Sequence, residues 1–182
     1  MIEVAVFHAY FRSRDAGSVR LAARYAMALQ LTERELQVFS LAGYPYPVER
    51  PEEPVTLEEL ARVVVRVMED PGARAVEASV MALVMMAQHD ALEMLECEDV
   101  EARRRLGYVA QRLSAMEGVP ARAQKRLREL TKRLTNFAAG GRALFLTHVV
   151  SRGRAERLER SADDVSRLWG VYGEVTWRGG DT

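Results

Sequence analysis

Residues 98–137, EDVEARRRLGYVAQRLSAMEGVPARAQKRLRELTKRLTNF, contain two consecutive heptad patterns that decide the fold. Apolar residues recur in steps of four and three in each half: Ala102, Leu106, Val109, Leu113 and Met116, then Ala123, Leu127, Leu130, Leu134 and Phe137. Such a repeat places one apolar seam along each helix. Gly118 and Pro120 lie between the seams, and these residue types end one helix and begin the next. The stretch therefore predicts an antiparallel helical hairpin.

The segment before the hairpin predicts three more helices. Residues 73–96 are apolar on most sides, a pattern typical of one long, central, buried helix. Thr32 with Glu35, and Thr56 with Glu59, form two capping-box patterns. We expect these to start helices that run to about residues 42 and 69, with a proline-rich loop between them.

The two ends of the chain carry weaker patterns. Residues 17–30 predict a helix and residues 2–11 a short strand or a helix. Residues 142–159 predict a weak helix. Ser161 is the expected cap of a last helix, whose apolar side would comprise Val165, Leu168, Trp169 and Tyr172. The tail from residue 173 could form a strand that pairs with residues 2–7.

These patterns together predict one all-α domain over residues 1–182. We expect a bundle of five to seven helices with a central buried helix, a heptad-patterned hairpin and a small terminal β pairing. Its expected regions are the N-terminal helices (1–42), the proline-rich loop (43–55), an acidic helical part (56–97), a basic hairpin with the following helix (98–160), and a C-terminal helix with its tail (161–182).

Charge is sorted along the chain, although the formal net charge is zero. Residues 49–101 contain 14 acids and 4 bases, whereas residues 102–160 contain 15 bases and 4 acids. The balances are −10 and +11, so the two segments can attract each other within one molecule or between subunits. The pattern favours a homo-oligomer or a protein partner.

Basic residues fall on the non-seam sides of the hairpin, where a partner could reach them. The candidate residues for an acidic partner or a nucleic acid are Arg103, Arg104, Arg122, Lys125, Arg126, Arg128, Lys132 and Arg133. Such a face could neutralise several phosphates, which makes a nucleic-acid-binding protein the first alternative. A solvated face, or one docked on the acidic half, is the other interpretation.

A metal site is a second alternative, centred on the adjacent pair His89 and Asp90. Glu93 would lie on the same helical face as His89 and could add a ligand. A metal-dependent phosphohydrolase needs further histidine and aspartate ligands, and the other histidines are His8 and His148. A structural histidine is the simpler interpretation, and we predict no cofactor.

The single cysteine, Cys97, stands among acidic residues, which should raise its thiol pKa and make it unreactive. The N-terminus lacks the basic region of a signal peptide, and the longest apolar run is too short for a membrane span. We therefore expect a cytoplasmic protein without disulfides.

Residues 18–60 resemble the first part of an HD-GYP-type domain of the HD phosphohydrolase superfamily. The matching stretches are SVRLAARYAMALQL, TERELQVFSLAG and PVTLEEL. Tyr46 and Pro47 stand where that family has its metal-binding His-Asp pair. The resemblance implies an all-helical domain that has lost metal and catalysis. Together with the charge pattern, it favours a non-enzymatic regulatory or protein–protein interaction module that self-associates through the hairpin seams or the opposed charged faces.

Overall fold

The computed structural model describes residues 31–44, 54–138, 143–147 and 152–177. The elements predicted over residues 2–11 and 17–30, most of the proline-rich loop, and the end of the tail lie outside these ranges. Tyr46 and Pro47, the two positions that correspond to the metal-binding pair of the HD family, also lie outside these ranges.

The described residues form an all-α structure with one small β pair, as the sequence predicts. The elements are α1 (Glu33–Leu41), α2 (Leu57–Glu69), α3 (Ala73–Gln88), a 3₁₀ turn (Leu92–Met94), α4 (Val100–Ser114), α5 (Ala121–Leu134), a second 3₁₀ turn (Thr135–Phe137), β1 (Leu144–Phe145), α6 (Arg152–Arg160), α7 (Asp164–Trp169) and β2 (Val171–Tyr172). Within these ranges, no helix combines the length and apolar character that a bilayer span requires.

The two capped helices begin where the capping patterns predict. The Thr32 hydroxyl accepts from the Glu35 amide, and the Glu35 carboxylate accepts from the Thr32 amide, so both halves of this capping box are formed. The Thr56 hydroxyl likewise accepts from the Glu59 amide. Arg34 joins the two helices by donating to both carboxylate oxygens of Glu59, at 2.7 and 2.8 Å.

Helix α3 is buried on most sides, as predicted, but it is shorter than the predicted range of 73–96. It ends at Gln88, with His89 as its C-cap. Asp90 has a positive φ of 57°, a left-handed conformation that cannot continue a helix. The remaining residues, up to 96, form a 3₁₀ turn and an irregular segment instead.

The hairpin of α4 and α5 confirms both heptad seams. Seam residues such as Leu106, Leu113 and Leu127 are fully buried, whereas the terminal seam positions Met116 and Phe137 are half-buried. The seam side chains are therefore occupied by contacts within this chain.

Helix α4 is a second central helix, which the heptad pattern does not indicate. It packs against α2, α3, α5 and α7, and residues 104–110 are buried on every side. Arg104 and Arg105 are therefore in the interior, although the sequence places them on an outer face.

The C-terminal region differs from its prediction in three respects. Residues 144–145 form a strand within the predicted 142–159 helix, and this strand pairs in parallel with β2. The pairing predicted between the tail and residues 2–7 lies outside the described residues. Asp163, not Ser161, caps α7 by accepting from the Ser166 amide. Leu168 is exposed, and only Trp169 of the predicted apolar stripe is fully buried.

Candidate acidic-partner interface

Helix α5 has one buried seam and one open, positively charged side. Its seam residues pack into the bundle, so the residues between them point outward. The outward cations that share this side define the basic face: Arg122, Lys125, Arg126, Lys132 and Arg133. The Arg122 side chain is 65% exposed. Five of the eight predicted site residues therefore lie together.

Two carboxylates hold two of the three arginines of the basic face, Arg122 and Arg126, in place. Asp90 accepts from both Arg122 and Arg126, and Arg126 also donates to Glu129 at 2.9 Å. Hydrogen bonds from Arg122 and then Arg126 lower the pKa of Asp90 below its ordinary value. Hydrogen bonds to Glu129 and then Asp90 raise the pKa of Arg126.

Lys125 and Lys132 remain unpaired among the residues that the structure describes. Both are exposed, and neither forms a hydrogen bond or salt bridge within the described ranges, although the charges of both help to lower the pKa of Glu129. They are seven residues apart, so they lie on the same side of the helix at a spacing of about 10 Å. These two ammonium groups are available to an external anion.

Three predicted site residues are engaged elsewhere. Arg103 is half-buried, donates to the carbonyl of Cys97 and lies over the Phe137 ring at 4.5 Å from its centroid. Arg104 is buried. Arg128 is exposed, but it lies on the flank of α5 nearest α4 and is 3.4 Å from the carbonyl of Ser114.

The buried arginines of α4 bind backbone carbonyls of the C-terminal part of the chain and of α2. Arg104 donates to the carbonyls of Trp169 and Gly170, at 2.8 and 3.2 Å. Arg105 donates to the carbonyl of Met68 at 2.8 Å. A buried guanidinium needs such acceptors, since unpaired burial of a charge is costly. These two arginines therefore stabilise the fold and are inaccessible to a partner.

Further along the same side of α4, three residues hold α7 and β2. The Trp169 indole donates to Gln111 at 2.6 Å, and the Tyr108 hydroxyl donates to the carbonyl of Gly173. Arg112 forms a bidentate pair with Asp163, at 2.5 and 2.7 Å. Hydrogen bonds from Arg112 and from the Ser166 amide lower the pKa of Asp163 to about 2. No motif in the sequence indicates this docking.

The candidate metal ligands are not assembled as the sequence suggests. His89 and Glu93 do not share a helical face, because α3 ends at Gln88. Asp90 lies next to them, but its two oxygens accept from arginines. No cluster of three or more histidine, cysteine or carboxylate groups suited to a metal occurs within the described residues.

Cys97 has a raised thiol pKa, in the direction expected from the sequence. Burial is the largest cause, and the negative charge of Glu69 adds to it. The expected cause, charge from sequence neighbours, is secondary. The thiol is therefore a poor nucleophile.

An open cleft of about 890 Å³ borders the flank of α5 that carries Arg128. The C-terminal end of α4 and residues 173–176, which follow β2, form its walls, with Arg128 and Lys132 at its rim. The basic character of α5 thus extends from the basic face into a concave region.

Comparisons with protein-family models, with curated proteins and with solved structures gave no match to this chain.

Proposed function

We propose that this protein is a protein–protein interaction module, regulatory and not catalytic, that docks an acidic protein surface on the basic face of α5. One observation supports this most: Lys125 and Lys132 stand exposed and unpaired beside arginines that Asp90 and Glu129 hold in place. A prearranged set of cations loses little side-chain freedom when it binds carboxylates.

The carboxylates within the face favour a protein partner over a nucleic acid. Asp90 and Glu129 lie among the cations, so a continuous phosphate backbone would approach two fixed negative charges. Discrete carboxylates on a folded surface can pair with the two lysines and stay away from Asp90. The basic face is also short, since a 14-residue helix spans about 20 Å. The HD-like resemblance of residues 18–60 agrees with a regulatory role.

A labelled ten-residue oligoglutamate peptide tests the proposal by fluorescence anisotropy at ~50 mM salt. We expect saturable binding that weakens steadily as salt is raised, because the contacts are exposed ion pairs. The double charge reversal Lys125→Glu and Lys132→Glu should weaken binding at least about tenfold, because attraction becomes repulsion at both positions.

The matched control is the double reversal Arg154→Glu and Arg157→Glu on α6. These arginines are exposed and form no ion pair in the described structure, so the net charge changes equally on another surface. If oligoglutamate binding weakens equally in both variants, binding is not specific to the basic face and the proposal is refuted. A generic DNA duplex and an RNA strand form the second arm. If the DNA or the RNA binds more tightly than oligoglutamate, and only the lysine variant loses that binding, nucleic-acid binding would replace the proposed function.

A further inference from the structure

The basic face adjoins an acidic segment of the same chain. This segment, residues 93–99, carries Glu93, Glu96, Glu98 and Asp99, and it follows the left-handed turn at Asp90. Arg133 donates to the carbonyl of Leu92 at 3.0 Å, which places the start of the segment beside the C-terminal half of α5. The two charged regions are therefore neighbours on the surface.

A notch of about 250 Å³ marks the border between the two regions. Asp90, Glu93, Arg126, Glu129 and Arg133 line it together with two leucines. Carboxylates and guanidinium groups thus meet along one line. On one side of that line the net charge is negative, and on the other it is positive.

The outer part of the acidic segment has no partner within the described part of the chain. Glu93, Glu96 and Glu98 are exposed and form no ion pair there. Two apolar side chains flank them, Met94 at 36% and Val100 at 52% exposure. Unpaired acids with exposed apolar neighbours are suited to an interface that excludes some water.

We infer that the partner of the basic face is the acidic segment of a second copy of this chain, in a two-fold symmetric dimer. This rests on the proposed function. A surface with adjoining positive and negative regions is self-complementary about a two-fold axis through their border. The rotation places each basic face opposite the other copy's acidic segment. Both contacts then form at once, and the assembly closes at two subunits.

The stability of this dimer should depend strongly on salt concentration, because its contacts join opposite charges. Lys125 and Lys132 of one copy would pair with the exposed glutamates of the other. All four of these lysines in the dimer would then have carboxylate partners. Exposed pairs of this kind are screened within a Debye length of about 10 Å at 0.1 M salt. We expect dimers at ~20 mM salt and monomers of 20.5 kDa at ~500 mM salt.

Sedimentation and light scattering of reciprocal charge-reversal variants test the inference. One variant carries Lys125→Glu and Lys132→Glu, and the other carries Glu96→Lys and Glu98→Lys. Each alone should be monomeric at ~20 mM salt, because like charges face each other in both contacts. An equimolar mixture should form a one-to-one dimer, because both contacts again join opposite charges. The Arg154→Glu and Arg157→Glu control should dimerise like the wild-type protein.

The outcomes separate the inference from the proposed function. A wild-type chain that is monomeric at ~20 mM salt and ~50 μM protein, yet binds oligoglutamate, overturns the dimer and leaves the proposed function standing. A mixture that remains monomeric overturns the pairing, provided that each variant unfolds at the wild-type temperature. Species that grow beyond two subunits with concentration overturn the two-fold geometry in favour of head-to-tail association.

Discussion

Substitution of Gly107 by alanine should destabilise the fold, because the Trp169 ring occupies the space of a side chain at this position. A Cβ built on Gly107 would lie 2.1, 2.3 and 2.8 Å from three ring atoms of Trp169. Ordinary carbon contacts begin near 3.5 Å, so the ring would have to move by more than about 1 Å. Trp169 is completely buried, and its indole is fixed by the 2.6 Å hydrogen bond to Gln111.

The magnitude follows from how far the ring is displaced. If the site relaxes, overpacking costs about 1–3 kcal/mol. If the ring is expelled, the loss of unfolding free energy approaches that caused by truncating a buried tryptophan, about 3–5 kcal/mol. Urea unfolding, followed by circular dichroism, measures the difference. Near-ultraviolet circular dichroism reports whether the tryptophan environment has changed.

Two further variants make this prediction specific. In a Trp169→Leu background the clash is absent, so Gly107→Ala should then cost much less, which a double-mutant cycle detects. Gly153→Ala is the matched control, because its Cβ meets no atom within 4 Å. A Gly107→Ala protein within about 0.5 kcal/mol of wild type would refute the packing of Trp169 on α4.

Three other perturbations test the remaining contacts. Asp163→Asn should cost about 1 kcal/mol at neutral pH, after allowance for solvent screening of the half-exposed pair with Arg112. The pKa of Asp163 in the folded protein is lowered from 3.8 to about 2, so the loss of unfolding free energy relative to wild type should be present above pH about 4 and disappear as the pH falls toward 2. A loss of unfolding free energy that does not change with pH would argue against this ion pair. Arg104→Lys should destabilise by about 1–3 kcal/mol in thermal unfolding, because an ammonium group cannot reproduce the guanidinium contacts to two carbonyls, and an unchanged stability would contradict its structural role. Asp90→Asn should weaken oligoglutamate binding about threefold, because Arg122 and Arg126 lose the carboxylate that holds them in place, whereas unchanged or tighter binding would show that this prearrangement is not needed.

Helix positions and the hairpin were predictable because their signals are local. A capping box needs residues three apart, and a heptad seam needs neighbours one or two turns away. Thr32, Thr56 and both seams therefore agree with the structure. The exposed cations of α5 were predictable for the same reason, since α5 packs by one side only.

The error about the buried arginines concerns α4, which packs on all sides. A heptad pattern indicates one apolar seam, and that seam alone predicts that Arg104 points toward solvent. The acceptors that allow its burial are carbonyls 65 and 66 residues later in the chain. No local pattern encodes a pairing at that separation, and backbone carbonyls have no sequence signature.

The sequence by itself determined the all-α class, the hairpin, the starts of α1 and α2 and the cations of α5, because each depends on the periodicity or capping of one segment. Only the tertiary structure decided which arginines are buried, where α3 ends, that β1 pairs with β2, and that the acidic segment adjoins the basic face. These features depend on contacts between segments distant in the chain. Their free energy is set by packing and by the pairing of polar groups in three dimensions.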